Sequence, residues 1–166
     1  VIIETFIRKK GYQIDGDGFL KDGKIVFFGV MDQHNNIERN PHAPIGLSYP
    51  SIQAAEHQKK AYGLMQSMFD LLQMRFGAFN FEYLVEENGD VCVLEIGPRN
   101  GGNFIPDTLE YALGADLAEA SIRACVGDAY GEALTCDKHL IASSYVIHSL
   151  KTGKFQQLKI HKEVKD

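Results

Sequence analysis

The chain has 166 residues, of which 45% are hydrophobic and 23% are charged, and its formal net charge is −5 at pH 7. This length can bury one substantial core, and the composition is ordinary for a globular domain. The acidic balance argues against a nucleic-acid-binding protein, and no apolar run is long enough to span a bilayer. Because the start of the chain lacks a signal-peptide pattern and the three cysteines lack metal-type spacing, we expect a cytoplasmic protein with free thiols.

The first part of the chain predicts three strands and a long loop. Residues 1–7 (VIIETFI) form an apolar, strand-like run, and Tyr12–Leu20 and Lys24–Asp32 predict two further strands joined by the turn Lys21-Asp22-Gly23. The next segment, Gln33–Pro50, holds an Asn-Asn pair, an Asn-Pro pair and further prolines, which predicts a loop. Loops of this length in compact domains are usually functional or mobile.

One long helix is predicted next. It begins after Pro50, with Ser51 as its N-cap, and ends near Arg75, before the helix-stopping Gly77. Apolar residues recur along it near helical spacing, as expected for a face that packs on a core: Ile52, Ala55, Tyr62, Met65, Phe69 and Leu72.

Two shorter helices are predicted in the last third of the chain. Asp107-x-x-Glu110 and Asp116-x-x-Glu119 are patterns typical of helix starts, because each acid can cap the first turn. Gly114 separates the two helices, and the second is predicted to end at Gly127.

A hairpin of residues 140–148 and 154–160, which turns through Lys151-Thr152-Gly153, is predicted at the end of the chain. The predicted strands outnumber the helices and pair with their neighbours in sequence. This organisation indicates an α+β fold, a mostly antiparallel sheet flanked by helices, which we expect on one side of it. The chain opens on Val1, inside a strand-like run rather than on a Met, so we expect it to be a piece of a longer polypeptide.

The hairpin around Asn88-Gly89 carries the most informative pattern. This dipeptide predicts a two-residue type I′ turn, because both residues tolerate a positive φ. Such a turn sets Glu87 opposite Asp90 and, counting back along both strands, Glu82 opposite Glu95. Opposed like charges destabilise a hairpin, and Mg²⁺ is the natural cation for a pair of hard oxygen ligands. The alternative is a solvated sheet face on which two glutamates happen to meet.

The alternation of side chains in this hairpin predicts one core face and one mixed face. The core face is expected to hold Phe81, Tyr83, Val85, Cys92, Leu94 and Ile96, and the mixed face Glu82, Leu84, Glu86, Val91, Val93 and Glu95. The two carboxylates are therefore expected to line a cleft and not the core.

After the second strand the chain reads Gly97-Pro98-Arg99-Asn100-Gly101-Gly102. Pro98 ends ladder pairing, and the glycine pair allows the backbone to come close to a ligand. The rigid fork of Arg99 suits a phosphate or a carboxylate. The alternative for this arginine is structural, as the partner of a nearby acid such as Asp107.

Together these residues resemble the ATP-grasp superfamily, which includes biotin carboxylase, carbamoyl-phosphate synthase and D-alanine–D-alanine ligase. In that family a Phe-x-x-Glu strand and a Glu-x-Asn-x-Arg strand end hold the Mg²⁺ ions of Mg-ATP. The resemblance implies that Glu82 and Glu95 bind metal and that Arg99 is catalytic. The family's asparagine falls on Gly97 here, and an asparagine of the following loop is the alternative ligand.

The start of the chain carries a second match to the same family. The run VIIETFI and the segment Gly11–Phe19 are similar to the family's hinge strand and to the strand that follows it. The resemblance implies that the main chain of Glu4, Thr5 and Ile7 binds the adenine edge of ATP. It also implies that Gln13, where the family has a glutamate, lies near the ribose or the phosphates. For Glu4 alone the alternative is a solvated strand-end carboxylate.

The resemblance covers residues 1–130, which look like the C-terminal lobe of an ATP-grasp domain without its upstream lobe. Residues 131–166 are expected to form a strand hairpin that begins a following segment. The parent protein is then expected to be an ATP-dependent, C–N bond-forming ligase, similar to carbamoyl-phosphate synthase, that makes an acyl phosphate. Gly101, Gly102 and Asn103 are implied to form the floor of its acceptor site.

The implied cofactors are ATP and Mg²⁺, or Mn²⁺ in its place. The implied partners are a small-molecule carboxylate, an amine or thiol acceptor, and the upstream lobe of the same polypeptide. The resemblance also allows a homodimer, and no nucleic acid or membrane partner is expected. The alternative function is a non-catalytic nucleotide-binding or assembly module, which Gly97 and Gln13 favour because each lacks a ligand that the family has there.

Overall fold

Antiparallel strands form a single sheet in the computed structural model, in the spatial order β5-β4-β1-β2-β3-β6. The structure describes residues 1–36, 40–147 and 152–161, without the side chains of residues 40–42. The strands are β1 Gln13–Lys21, β2 Lys24–Asn36, β3 Asn40–Tyr49, β4 Gly77–Val85, β5 Val91–Gly97 and β6 Ala142–Tyr145. The helices are α1 Ala55–Leu72, α2 Ile105–Leu113 and α3 Leu117–Val126, followed by a 3-10 turn at Glu132–Leu134. The predicted α+β fold with a mostly antiparallel sheet is confirmed.

Helices pack on both faces of this sheet, and the prediction of helices on one side is wrong. The core beneath α1 includes Ile14, Leu20, Met65, Phe69, Phe79 and Phe81. The core beneath α2 and α3 includes Phe19, Phe27, Leu47, Ile105, Leu109 and Leu117. Successive residues of a strand point to opposite faces, so Phe19 and Leu20 contribute to different cores. Each large apolar side chain buried in this way contributes about 1.5–3 kcal/mol to stability.

Residues 1–8 do not form the strand predicted for residues 1–7. They are outside any strand in the structure, and Ile2, Ile3 and Phe6 are all at least 85% exposed. An isolated bridge from Lys9 to Glu86 precedes β1. An apolar run becomes a strand only where a neighbouring strand supplies hydrogen bonds, and none of the described strands lies beside this run.

The predicted loop Gln33–Pro50 is largely sheet. β2 continues to Asn36, and β3 returns antiparallel to it. The register shifts next to Asn35, whose partner is Pro44. Such an irregularity accommodates a proline, which cannot donate to the ladder. The prediction of a loop is therefore wrong for most of this segment, because the asparagines and prolines on which it was based are accommodated within a strand pair.

Helix α1 is shorter at both ends than predicted. Ser51 does not cap it, because its Oγ donates to Asp32 Oδ1 at 2.6 Å, and the actual N-cap, Ala54, has no side-chain cap bond. The helix ends with Gln73 in the left-handed conformation, at φ 53°. Its buried residues are Ala61, Met65 and Phe69.

The two short helices lie close to their predicted positions. Asp116 caps α3 by accepting from Glu119 N at 2.7 Å, and Gly127 ends that helix, as predicted. Helix α2 starts before the predicted Asp107, which lies in its first turn. Gly114 ends α2 in the left-handed conformation, at φ 93°. No helix in the described ranges is long and apolar enough to cross a membrane.

The predicted terminal hairpin is wrong. Strand β6 pairs with β3, and residues 152–161 are not in a strand. Lys151, in the predicted turn, lies outside the described residues together with 148–150 and 162–166. The partner of β6 could not be predicted, because the sequence pattern of the segment that forms β3 predicts a loop.

Candidate functional site

The turn between β4 and β5 has three residues and not two. Glu86 N donates to Asp90 O at 2.8 Å across it. Gly89 has a positive φ of 87°, whereas Asn88 does not, so the predicted type I′ turn is wrong. The longer loop shifts the pairing of the two strands by one residue.

A β-bulge in β5 cancels this shift. Tyr83 lies opposite Val93, the register then changes by one residue, and Glu82 lies opposite Glu95. Bulges of this kind insert one extra residue into one strand of a pair. The predicted opposition of the two glutamates is therefore confirmed, although the turn from which it was counted is different.

The longer turn also exchanges the faces predicted for the first part of β5, up to the bulge. Val91 and Val93 pack on the core beneath α1, and Leu94 is 45% exposed. Ile96, beyond the bulge, packs on the same core as predicted. A slip of one residue moves every side chain to the other face, so the face assignment was wrong only between the turn and the bulge.

Two rows of residues, all but one of them polar, cross β1, β4 and β5 on the face opposite α1. The first, here called the carboxylate row, is Asp15, Glu82 and Glu95, and the second is Asp17, Asn80 and Gly97, each paired from strand to strand. Asp15, Asp17 and Asn80 are buried, with at most 6% exposure. Three carboxylates thus lie side by side at one position along the sheet.

Side-chain amides connect these acids. Asn80 Nδ2 lies 3.0 Å from Asp15 Oδ1 and 3.1 Å from Asp17 Oδ1, so one amide donates to both buried carboxylates. Gln13 Nε2 donates to Glu82 Oε2 at 2.6 Å. Buried carboxylates are costly unless they accept hydrogen bonds, and these amides meet part of that requirement.

Burial raises the pKa values of the acids at this site. Desolvation raises the pKa of Asp15 to about 7 and that of Asp17 to about 6. Desolvation, and next to it repulsion from Glu95, raises the pKa of Glu82, while the hydrogen bond from Gln13 lowers it. The repulsion expected within the glutamate pair is present, but removal from water has the larger effect.

The carboxylates of Glu82 and Glu95 fit a Mg²⁺ ion that phosphate oxygens also coordinate, and not one that is enclosed by protein ligands alone. Within the described residues, no group of three or more His, Cys, Asp or Glu side chains is arranged to hold a metal. Mg²⁺ in nucleotide sites commonly takes one or two carboxylates and completes its shell with waters and phosphates. Glu82, which is half-buried, and Glu95, which is exposed, supply such a pair of oxygen donors.

Arg99 lies on the loop after β5 and lines the same pocket as Glu82. Its Nη1 donates to Asn100 O at 3.0 Å, and its positive charge partly offsets the raised pKa values of Glu82 and Asp17. In the described part of the chain it forms no salt bridge with Asp107 or any other acid. The structural alternative for this arginine therefore has no support there.

Gly101 comes close to protein, where the sequence suggested a close approach to ligand. Its N–H donates to Asp17 and lies 2.9 Å from Oδ1 and 2.8 Å from Oδ2. A Cβ at this glycine would lie 2.7 Å from Asp17 Oδ1 and 2.9 Å from Asn80 Nδ2. Gly102 and Asn103, by contrast, line the pocket.

The pocket over the carboxylate row has a volume of about 220 Å³. It brings together five of the predicted site residues: Gln13, Glu82, Arg99, Gly102 and Asn103. A larger groove of about 480 Å³ lies beside the turn between β1 and β2. We assign the site to the smaller pocket because its acids face one another, whereas Asp70 in the larger groove is already paired with Lys24.

The residues predicted to bind adenine are not brought to this pocket. Glu4 and Thr5 are exposed, and Ile7 is partly buried, in the segment that precedes the sheet. Gln13 lies in the pocket and contacts Glu82. The adenine-binding role of the first three residues stays a prediction.

Asp15, Asp17 and Asn80 are absent from the predicted site. The alternation of Gln13, Asp15 and Asp17 along β1 places three polar side chains on one face, and this signal could have revealed both aspartates. Asn80 has no comparable signal, because its contact with Asp17 depends on which residues of β1 and β4 are paired.

Comparison with known proteins shows the fold. No protein-family model matches the chain, and no curated protein matches it in sequence. Phosphoribosylglycinamide synthetase from Anaerococcus prevotii matches with a TM-score of 0.76 at 15% identity over 89% of this chain. L-amino acid ligase from Bacillus licheniformis matches with a TM-score of 0.78 at 16% identity over 93%. Biotin carboxylase from Campylobacter jejuni, in a complex with β,γ-ATP, matches with a TM-score of 0.64 at 20% identity over 80% of this chain.

These neighbours are ATP-grasp ligases and carboxylases, and the chain has the ATP-grasp fold, as the sequence resemblance implied. The matched part is a fraction of each neighbour. The chain spans 38% of the synthetase, 40% of the amino acid ligase and 29% of the carboxylase.

Proposed function

We propose that the protein is an ATP-dependent ligase, or a part of one, that joins a carboxylate to an amine through an acyl phosphate. The observation that carries this proposal is the carboxylate row beneath Arg99, on a fold shared with ATP-dependent ligases. In such a reaction a carboxylate oxygen attacks the γ-phosphorus of ATP and ADP leaves. The amine then attacks the acyl carbon, and phosphate leaves.

The residues of the pocket have distinct roles in this proposal. Glu82 and Glu95 hold Mg²⁺, or Mn²⁺, which when bound neutralises charge on the β- and γ-phosphates. Gln13 holds Glu82 in place through its 2.6 Å hydrogen bond. Arg99 donates both arms of its guanidinium to the phosphoryl group or to the acyl phosphate. Asn103 lines the side at which the acceptor enters.

The ligase class is supported by the neighbours, two of which are a synthetase and an amino acid ligase. A carbamoyl-phosphate synthase-like enzyme is the finer form of the proposal, with an upstream lobe of the same polypeptide as the partner that holds the phosphates. The proposal includes a cytoplasmic location, because the described cysteines are free thiols, which are typical of a reducing compartment.

A second candidate is a module that binds nucleotide without turnover. Gly97 favours it, because no side chain stands at the register position next to Asn80 where the family has a metal-binding asparagine. Turnover of ATP by the full-length protein distinguishes the two, since only the ligase consumes ATP.

We expect the 166-residue chain alone to bind Mg-ATP with a Kd above about 1 mM, or −4 kcal/mol, and to hydrolyse none of it above background. The resemblance assigns the phosphate-holding lysines to another lobe, so these residues supply only part of the binding energy. Titration followed by NMR should shift the amides of Glu82, Glu95 and Arg99. Glu82→Gln should abolish these shifts, and Glu110→Gln, on the exposed side of α2, should leave them. Micromolar affinity, or shifts confined to the groove beside Asp22, would contradict this expectation.

We expect Arg99→Lys in the full-length ligase to lower kcat/KM at least about 100-fold, or about 2.7 kcal/mol of transition-state stabilisation. Lysine keeps the charge but loses the bidentate fork. Folding stability should change by no more than about 1 kcal/mol, because Arg99 is exposed. Melting temperature and ATP turnover are measured on one preparation, with the exposed Arg75→Lys as control. A large loss of melting temperature with normal activity per folded molecule would make Arg99 a structural residue.

A further inference from the structure

We propose that Asp17 is a positioning residue, which holds the loop Pro98–Phe104 over the carboxylate row through the backbone amide of Gly101. The effect of Asp17 on catalysis rests on the proposed function. The contact between Asp17 and the loop does not depend on it. Asp17 lies outside the residues assigned above to metal, nucleotide or acceptor.

The geometry of Asp17 is that of an anchor and not of a ligand-binding group. Its side chain has no exposed surface, so it contacts no ligand in the pocket. Both carboxylate oxygens lie within 2.9 Å of Gly101 N, and Asn80 Nδ2 donates to Oδ1 from the other side at 3.1 Å. A buried carboxylate with these donors joins the middle of β1 to a loop that is 84 positions away in the sequence.

A side chain at position 101 would displace the groups that form this contact. A Cβ there would lie 2.7 Å from Asp17 Oδ1 and 2.7 Å from Ile105 Cδ1, distances that real Cβ contacts essentially never show. At Gly102, by contrast, a Cβ would have nothing within 4 Å. Close approach to Asp17 therefore accounts for the first glycine of the pair, and no neighbouring atom restricts the second.

The same loop contains two consecutive non-glycine residues in the left-handed region. Asn103 has a φ of 50°, and Phe104, the N-cap of α2, has a φ of 61°. Asparagine tolerates this conformation, but for a phenylalanine it is strained and persists only where the surroundings over-determine it. The bond from Gly101 to Asp17 on one side and the bonds from Thr108 to Phe104 O on the other supply that constraint.

The loop held in this way carries the groups on which the proposed reaction depends. Arg99 and Asn103 both line the pocket, and the anchored Gly101 lies between them. If Gly101 is released, both side chains lose their fixed distance to Glu82. Catalysis is sensitive to such displacement, because a misplacement of about 1 Å can cost about 100-fold in rate.

The test is amide hydrogen exchange on the 166-residue chain, followed by NMR. In the unmodified chain the Gly101 amide is expected to exchange at least about 100-fold more slowly than in an unfolded peptide. Asp17→Asn places an amide donor against the Gly101 N–H, so exchange at Gly101 should accelerate at least about tenfold while the amides of β1 and β4 keep their rates. The control is Asp128→Asn, which changes an exposed carboxylate beyond α3.

Gly101→Ala disrupts the same contact from the loop side, so it should also accelerate exchange at position 101. Three results would overturn the proposal: unprotected exchange of the Gly101 amide in the unmodified chain, an unchanged exchange rate of Gly101 in Asp17→Asn, or an equal rise in exchange rate across the whole sheet.

The kinetic test uses the full-length ligase. There Asp17→Asn should lower kcat at least about tenfold, with the KM for ATP within about threefold, and an unchanged kcat would overturn the positioning role. Absence of turnover in the unmodified ligase would refute the proposed function alone, and the exchange data would then decide the anchor.

Discussion

Glu82→Gln in the proposed full-length ligase is expected to lower ATP turnover by at least about two orders of magnitude without loss of stability. Glu82 lies between Asp15 and Glu95 in the carboxylate row and is one of the two proposed Mg²⁺ ligands. Glutamine has nearly the same shape, and its carbonyl oxygen can still accept from Gln13. Because burial raises the pKa of Glu82, the neutral replacement should leave the free energy of unfolding equal or slightly higher.

The measurement combines phosphate release with the concentration of Mg²⁺ that gives half-maximal rate. In the variant this concentration should rise, since one of the two proposed protein ligands is lost. Glu110→Gln, an exposed glutamate on α2, is the matched control and should behave like the unmodified enzyme. A Glu82→Gln ligase with a normal rate and a normal Mg²⁺ requirement would remove Glu82 from the metal site.

Asp15 and Asp17 are expected to lower the free energy of unfolding of the 166-residue chain as the pH rises from 4 to 8. Both acids titrate near 3.8 when exposed, and burial raises their pKa values to about 7 and about 6. The folded state therefore binds more protons than the unfolded state over this interval. The stability associated with these protons is fully present below pH 3.8 and is lost as the pH rises through about 6 and 7.

Asp15→Asn isolates this effect. The asparagine oxygen can still accept from Gly16 N, which donates to Asp15 Oδ1 at 2.8 Å, and the variant has no charge to desolvate. We expect the variant to be more stable than the unmodified chain by a few kcal/mol at pH 8 and nearly equal to it at pH 4. Urea unfolding at each pH gives the values, with the exposed Asp128→Asn as control. Parallel stability profiles for Asp15→Asn and the unmodified chain would show that Asp15 titrates normally.

Local patterns were sufficient to predict much of the architecture. The turn at Asp22-Gly23 and the alternation on either side of it predicted β1 and β2, and the alternation in the next hairpin predicted β4 and β5. The cap at Asp116 predicted the start of α3. These features succeed because a turn, a cap or a period of two depends on a few neighbouring residues.

The glutamate pair shows how a correct prediction can depend on compensating errors. The three-residue turn shifts the register by one, and the bulge after Val93 shifts it back. Neither was visible in the sequence, because a bulge depends on how β5 packs against its neighbour. The pairing of Glu82 with Glu95 survived both, but the predicted faces of Val91 and Leu94 did not.

By itself the sequence determined the α+β class and the two local strand pairs, β1 with β2 and β4 with β5. Only the tertiary structure decided that β3 is a strand, that helices cover both faces, and that Asp17 is buried against Gly101. The physical reason is the distance along the chain: Asn80 and Gly101 reach Asp17 across 63 and 84 positions. Burial, pKa and hydrogen-bond partner are properties of such long-range neighbours, and no local pattern encodes them.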